Sequence, residues 1–142
     1  MNQVKWDRRF LALAEHKAQW SKDRTKVGAV ITLGNQDKYY GYNGFPPGIE
    51  DTEERLTNRV TKHQLVIHAE MNAILSANEN LQGHTLYCTH VPCIRCAVHT
   101  IRSQISRVVT NAPTEQWYID HEKELQLVDD IFAEAGIKHT LY

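Results

Sequence analysis

Four residues of the sequence combine types and spacing that suit a metal-assisted reaction. His68 precedes Glu70 by two positions, and Cys93 and Cys96 form a Cys-x-x-Cys pair directly after Pro92. A Cys-x-x-Cys pair by itself is equally typical of a thiol-redox motif and of half a zinc site. His68 supplies the third ligand of a zinc site, and three protein ligands leave the fourth tetrahedral position open, as in catalytic zinc sites. Thiolates and imidazole favour Zn²⁺ over Mg²⁺ or Ca²⁺.

Glu70 is the candidate acid–base residue of this centre. On a helix that begins near His68, a residue two positions on points about 200° away, so we expect Glu70 to contact the open position and not the metal. Zinc lowers the pKa of a bound water from about 16 to roughly 7, and a carboxylate beside it can move the proton. One such carboxylate suffices for hydrolytic deamination. A structural zinc site or a redox pair remains as the alternative interpretation of the two cysteines.

The predicted secondary structure places both halves of this centre at helix starts. Periodicity and turn residues predict helices over 5–20, 68–77, 93–104 and 125–135, and strands over 27–32, 39–42, 85–89, 108–109 and 137–141. We expect the first two strands to form a hairpin and the polar stretch 49–63 to be a partly helical surface segment. Strands that alternate with helices favour an α/β domain whose later strands are parallel, with sites gathered at one sheet edge. His68 and Cys93 are therefore expected to meet at that edge.

The composition is that of an ordinary globular protein and disfavours several partners. At 142 residues one domain over 1–142 is expected, with 42% hydrophobic and 23% charged residues. The chain has 16 Lys+Arg against 17 Asp+Glu, whereas proteins that bind nucleic acid through phosphates are usually basic, so we expect no polynucleotide partner. The N-terminus lacks the apolar run of a signal peptide, and we expect no membrane contact and a cytoplasmic location. The third cysteine, Cys88, is expected to be a buried thiol.

The combined pattern, H-x-E followed by P-C-x-x-C, is similar to that of zinc-dependent nucleobase deaminases. The sequence resembles the cytidine and deoxycytidylate deaminase superfamily, and the segment GYNGFPPG at 41–48 narrows the resemblance to the deoxycytidylate branch. Further matching segments are SKDRTKVGA at 21–29, HAEMNAI at 68–74, LYCT at 86–89 and AGI at 135–137. The resemblance implies a three-layer α-β-α sandwich with a mixed five-stranded sheet and zinc as cofactor. It also implies hydrolytic deamination of dCMP to dUMP, with Glu70 as the catalytic residue.

The resemblance implies a set of substrate contacts as well. Asn43 is expected to hydrogen-bond the substrate sugar, and Arg24 the 5′-phosphate, which its guanidinium suits. On residue type alone, Asn43 is a turn asparagine and Arg24 a solvated surface charge. Ala69, Ser21 and Lys26 are further candidates for substrate binding.

Regulation and assembly are implied by the resemblance alone. Several members of the branch respond to dCTP and dTTP, and the region that corresponds to 44–48 is implicated in that control. Gly44, Pro46 and Gly48 are therefore expected to contact an effector. A homo-oligomer, either a hexamer or a dimer, is expected for the same reason.

The sequence also predicts where residues outside the motifs lie, either on the surface, at the pocket rim or in the core. The charged residues of 49–66, including Lys62, are expected to form a solvated face, and this stretch has no cysteine for a second structural zinc. His90 stands just before the active-site turn, where many relatives have an aliphatic or aromatic residue, but a surface histidine is the default. Trp117 and Tyr118 are expected either at the pocket rim or in the core.

Three other functions stay open at this point. The first is deamination of a free cytidine or deoxycytidine nucleoside or of a base analogue, which would not need Arg24. The second is a polynucleotide deaminase, which the near-neutral charge disfavours. The third is a structural-zinc binding module, in which Glu70 would have no chemical role.

Overall fold

One mixed sheet forms the centre of the protein in the computed structural model, which describes residues 2–142. Within these residues the strands are β1 (Gly28–Leu33), β2 (Gln36–Tyr42), β3 (Thr85–Cys88), β4 (Arg107–Thr110) and β5 (Lys138–Leu141). Their order across the sheet is β2-β1-β3-β4-β5. Strand β1 is antiparallel to both of its neighbours, whereas β3, β4 and β5 are parallel. This mixed five-stranded sheet confirms the expected fold class.

Helices cover both faces of the sheet. In chain order they are α1 (Gln3–Ala18), α2 (Glu53–Thr57), α3 (Arg59–Leu65), α4 (Ala69–Ser76), α5 (Ile94–Arg102), α6 (Glu115–Asp120) and α7 (Glu122–Glu134). Helix α1 packs on one face through a cluster that contains Phe10, Leu11 and Val30. Helices α4, α5 and α7 pack on the other face, around Ile31 and Phe132, which completes three layers. Within residues 2–142, every helix is too short or too polar to span a bilayer.

Two elements, β2 and α6, differ from the prediction for local reasons. Strand β2 begins at Gln36 because the hairpin turn is tight, with Gly34 at a positive φ of 59°. The stretch 49–63 is partly helical, as expected: it carries α2 and the start of α3, whose N-cap residues Thr52 and Asn58 accept backbone hydrogen bonds through their side chains. Helix α6 was not predicted, because its 6 residues are too few to show a helical period.

Two helices contact the sheet at glycines, with no side chain between the backbones. A Cβ added to Gly28 of β1 would overlap the backbone of α1. A Cβ added to Gly41 of β2 would overlap the backbone of Ala69 and Ala73 in α4. A strand residue with any side chain would hold the helix further away. The contact at Gly41 therefore sets the distance of α4 from the sheet.

A buried ion pair joins α1 to strand β4. The Asp7 carboxylate is fully buried and accepts hydrogen bonds of 2.7 and 2.6 Å from the Arg107 guanidinium. The hydroxyls of Tyr87 and Tyr142 donate to the same carboxylate, each at 2.7 Å. Burial by itself raises the pKa of Asp7, but the hydrogen bonds from Arg107 and the tyrosines outweigh it and hold the pKa well below its usual range. Asp7 is therefore charged in the folded protein.

We expect Asp7→Asn to lower the free energy of unfolding by about 3–5 kcal/mol, because it leaves the Arg107 charge without its partner. Equilibrium unfolding in urea measures this loss. Asp130→Asn, at an exposed position of α7, is the matched control and should change the free energy of unfolding by less than about 0.5 kcal/mol. Equal stability of the two variants would contradict this role of Asp7.

The contribution of the Asp7 carboxylate to the stability of the fold depends on pH. Because its pKa is lower in the folded state than the usual unfolded value of about 3.9, Asp7 stabilises the fold fully above that unfolded value. The stabilisation is lost as the pH falls toward the folded-state pKa. The stability difference between the wild type and Asp7→Asn should therefore shrink as the pH falls from about 5 to about 2. A difference that stays constant over this range would count against the ion pair.

Candidate active site

His68, Cys93 and Cys96 converge at the starts of two neighbouring helices. His68 is the N-cap residue of α4, and Cys93 is the N-cap residue of α5. The Nδ1 atom of His68 lies 3.5 Å from the Cys93 sulfur and 3.4 Å from the Cys96 sulfur. All three ligand atoms lie within 4.8 Å of one another, which is close enough for them to hold one ion.

The charges of these side chains suit a cation. A hydrogen bond with Cys96, joined by one with His68, lowers the pKa of Cys93 to about 3, so Cys93 is a thiolate. The hydrogen bond with Cys93 raises the pKa of Cys96 and also that of His68. Cys96 and His68 therefore keep their protons in the absence of a metal, and Zn²⁺ displaces such protons when it binds. Two sulfurs and one imidazole nitrogen are ligands that suit Zn²⁺. Cys88, in contrast, is fully buried, and burial raises the pKa of its thiol.

Glu70 lies beside these ligands on the first turn of α4. It is only 4% exposed, and burial raises the pKa of its carboxyl above the usual value. The carboxyl contacts Cys96 and lines the same cavity as Cys93. A buried carboxyl with a raised pKa binds a proton more readily than an exposed one and can serve as a general acid and base.

A cavity of about 300 Å³ gives access to this group. Its volume lies at the small end of the range for small-molecule sites. Of the expected substrate contacts, Asn43 and Ala69 line this cavity. Arg24 is exposed and lines an adjoining depression, which meets the cavity at Lys62 and His63. The structure therefore places Arg24 next to the cavity and not inside it.

Ser21 and Lys26, both within the described residues, stand outside the cavity wall and hold a loop. The Ser21 hydroxyl donates a hydrogen bond of 2.7 Å to the backbone carbonyl of Asn43. The Lys26 ammonium donates to the backbone carbonyl of Ser21. These contacts shape the loop over 21–27, and substrate binding by Ser21 and Lys26 stays a prediction.

Gly44, Pro46 and Gly48, the expected effector contacts, form a loop after β2. Gly44 pairs with Ile67 through backbone hydrogen bonds of 3.1 and 2.8 Å. The Pro46 carbonyl accepts a hydrogen bond from the N–H of Ile49, and Gly48 has a positive φ of 89° in this turn. The loop is therefore attached to the residue that directly precedes the histidine of the candidate metal site.

Lys62 and Asp23 form an ion pair that sequence reasoning missed. Their charged groups lie 3.2 Å apart, and their side chains are 20% and 7% exposed. Both residues line the cavity, so the expectation that Lys62 belongs to a solvated face is wrong. Helix α3 brings Lys62 back to the cavity, and a lysine in a polar stretch has no sequence feature that distinguishes this place from a solvated one.

A cluster of three rings, in which Trp117 stacks on His121 and meets His90 edge to face, is the second feature that was not foreseen. The Trp117 ring lies 3.9 Å from the His121 ring and 4.6 Å from the His90 ring, measured between centroids. Trp117 and His90 both line the cavity, as does Glu124. Trp117 therefore lies at the rim and not in the core, whereas Tyr118 is exposed. Two sequence features pointed toward this cluster: the position of His90 before the active-site turn, and Trp117 as a candidate for the pocket rim.

Comparison with known proteins identifies the family. Residues 4–112 match the family described as the cytidine and deoxycytidylate deaminase zinc-binding region. The chain belongs to this deaminase family. A protein of Aliivibrio fischeri described as an uncharacterized deaminase in the luxG 3′ region is 39% identical over 96% of this chain and 92% of that protein. The deoxycytidylate deaminase of Mycobacterium phage D29 is 36% identical over 77% of this chain and 96% of that protein.

A solved structure shows the same fold. The apo dCMP deaminase of cyanophage S-TIM5 superposes on this deaminase with a TM-score of 0.77, at 24% identity over 100% of each chain. The family match and the His68, Cys93 and Cys96 group make this protein a zinc-binding hydrolytic deaminase. The alternative interpretations of the two cysteines, as a redox pair or a structural module, are therefore wrong.

We expect Gly41→Ala to push α4 away from the sheet and to move His68 relative to the two cysteines. Zinc affinity, measured by competition with a chromogenic chelator, should fall by about 10–100-fold, and stability by about 1–3 kcal/mol. Gly28→Ala is the matched control, because it overpacks α1 in the same way at a helix without a metal ligand. It should lose similar stability and keep its zinc affinity, so equal zinc affinities in the two variants would contradict the prediction.

Proposed function

We propose that this deaminase converts dCMP to dUMP, as one zinc-dependent domain over residues 1–142. The observation that carries the proposal is the position of the buried Glu70 carboxyl beside His68, Cys93 and Cys96. A proton carrier next to a zinc ligand set is what hydrolytic deamination needs. The name of the phage D29 relative, a deoxycytidylate deaminase, supports dCMP as the substrate.

Three side chains would hold the zinc ion. His68 would contribute one nitrogen, and Cys93 and Cys96 would contribute two sulfurs, which leaves one tetrahedral position without a protein ligand. When bound, zinc supplies the Lewis acidity that makes water available as hydroxide near neutral pH. The low pKa of Cys93 means that one thiolate is present before a metal arrives.

Glu70 would carry the protons of the reaction. Its carboxylate takes one proton from the water that adds to C4 of the cytosine ring and gives this proton to N3. It then takes the proton of the new C4 hydroxyl and gives it to the amino nitrogen, which leaves as ammonia. The carboxylate is regenerated, and cytosine plus water has become uracil plus ammonia. The raised pKa of Glu70, which results from burial, favours each uptake of a proton.

The cavity would hold the base and sugar, and the adjoining depression would hold the 5′-phosphate. Asn43 and Ala69 line the cavity, where they are available to the sugar and the base. Arg24, Arg59 and Lys62 line the depression, and Lys62 is shared by both spaces. Guanidinium groups bind phosphate oxygens through charge-assisted hydrogen bonds, so this side of the site suits a nucleotide better than a nucleoside.

We expect Glu70→Gln to lower kcat for dCMP by about 10²–10⁴-fold while the zinc content stays at that of the wild type. Glutamine fills the same space but cannot carry a proton. Ammonia release and metal analysis on the same preparation measure both quantities. Glu134→Gln, at the exposed end of α7, is the matched control with unchanged kcat. A Glu70→Gln protein that keeps full activity would refute the proton-carrier role.

We expect Arg24→Ala to lower kcat/KM for dCMP by about 10–100-fold and to leave kcat/KM for deoxycytidine unchanged. The difference arises because only dCMP has the phosphate that Arg24 would bind. Arg102→Ala, at the far end of α5, is the control and should affect neither substrate. Wild-type protein that uses deoxycytidine as efficiently as dCMP would show that the substrate is the free nucleoside.

The proposal extends to a homo-oligomer, hexamer or dimer, that responds to dCTP or dTTP through Gly44, Pro46 and Gly48. Its structural support is the backbone pairing of Gly44 with Ile67, which connects the loop to the start of α4. The dCMP assay repeated with each triphosphate tests the effectors, and unchanged kinetics with both would contradict them. Sedimentation velocity tests the oligomer, and a monomer at assay concentrations would contradict it.

A further inference from the structure

Glu124 of α7 lines the cavity and has no part in the proposed reaction. Its Oε2 atom accepts a hydrogen bond of 3.0 Å from the backbone N–H of Ile94. Ile94 is the first residue of α5, directly after Cys93 and two residues before Cys96. The Glu124 carboxylate therefore contacts the helix turn that carries both cysteine ligands.

The first turn of α5 depends on side chains for its hydrogen bonds. The first backbone N–H groups of a helix have no partner within the helix itself. The Cys93 sulfur accepts one of these bonds, from the N–H of Cys96 at 3.5 Å, so a metal ligand is also the cap. Glu124 accepts another from Ile94, and it does so from a different helix. This bond connects the turn to α7, which packs against α5.

We propose that Glu124 is a positioning residue for the zinc site: its hydrogen bond to Ile94 holds the first turn of α5 where Cys93 and Cys96 meet His68. The inference rests on the proposed assignment of these three residues as zinc ligands. Partners that orient metal ligands from outside the coordination shell typically contribute about 10–100-fold in metal affinity.

The property that matters is the hydrogen-bond acceptor and not the negative charge. A carboxylate at a helix N-terminus does interact favourably with the helix dipole. The observed contact, however, is one hydrogen bond from the Ile94 N–H to a single carboxylate oxygen, Oε2. A glutamine at position 124 keeps an acceptor oxygen at the same reach and loses the charge. An aspartate keeps the negative charge, but its shorter side chain does not bring an oxygen to the Ile94 N–H. The glutamine and aspartate variants therefore separate the effect of the charge from that of the hydrogen bond.

The rate of zinc release tests the proposal. Zinc-loaded wild type and the Glu124 variants are mixed with excess chromogenic chelator, and the colour change gives the release rate. Glu124→Ala and Glu124→Asp should release zinc about 10–100-fold faster than the wild type, and Glu124→Gln should release it at nearly the wild-type rate. Glu122→Ala, exposed on the same first turn of α7, is the matched control and should match the wild type. Circular dichroism of the metal-free proteins verifies that each variant folds.

Each contrary outcome has a distinct meaning. Wild-type release from folded Glu124→Ala and Glu124→Asp overturns the positioning role. Release from Glu124→Gln as fast as from Glu124→Ala overturns the assignment to a hydrogen-bond acceptor. A raised KM for dCMP with unchanged zinc release places Glu124 on the substrate and also overturns the proposal. Failure of the wild type itself to bind zinc would instead contradict the ligand set that the proposed function assigns.

Discussion

The backbone contact between α4 and β2 at Gly41 is the constraint from which the geometry of the site follows. Gly41, Ala69 and Ala73 are all buried, and no longer side chain separates the helix from the strand. A contact made by backbones and methyl groups has no rotamers to change, so its spacing is rigid. His68 and Glu70 flank Ala69, and the same contact therefore positions both the candidate metal ligand and the proposed proton carrier. Any displacement of α4 changes their distances to the cysteines together.

A hydrogen-bonded loop over 21–27 completes the cavity wall, to which it contributes Asp23, Thr25 and Val27. The Ser21 hydroxyl accepts from the N–H of Asp23 at 3.1 Å and donates to the residue after β2. The Asp23 carboxylate accepts from the N–H of Thr25 at 3.0 Å and pairs with Lys62 of α3. A carboxylate this buried is costly without a cation, so the ion pair holds α3 at the cavity. Short polar side chains thus shape the cavity wall through hydrogen bonds within the loop.

The sequence predicted those parts of the fold and site that depend on neighbours along the chain. The hairpin, the parallel later strands and the helix starts at His68 and Cys93 follow from periodicity and turn residues within short windows. Lys62 and Glu124 reach partners 39 and 30 residues away, and neither position has a local pattern that indicates its partner. His84 is also buried, and the sequence around this lone histidine beside a turn has no feature that indicates its burial. The candidate zinc ligands could thus be predicted from the sequence, whereas the long-range contacts that support the site could not.

Asn43 shows how one side chain serves the fold and the site together. Its Oδ1 accepts a hydrogen bond of 2.9 Å from the N–H of Val27, and its Nδ2 donates one of 2.7 Å to the carbonyl of Thr25. Because an N–H only donates and a carbonyl only accepts, these two bonds determine which way the amide points. An amide has two donor and two acceptor positions, so within residues 2–142 one of each remains unused on a side chain that lines the cavity. A sugar hydroxyl both donates and accepts and is the matching partner, whereas an ammonium or a carboxylate would match only one position. The turn role of Asn43 is therefore compatible with the proposed substrate role, because the two backbone hydrogen bonds fix the amide that a substrate hydroxyl would meet.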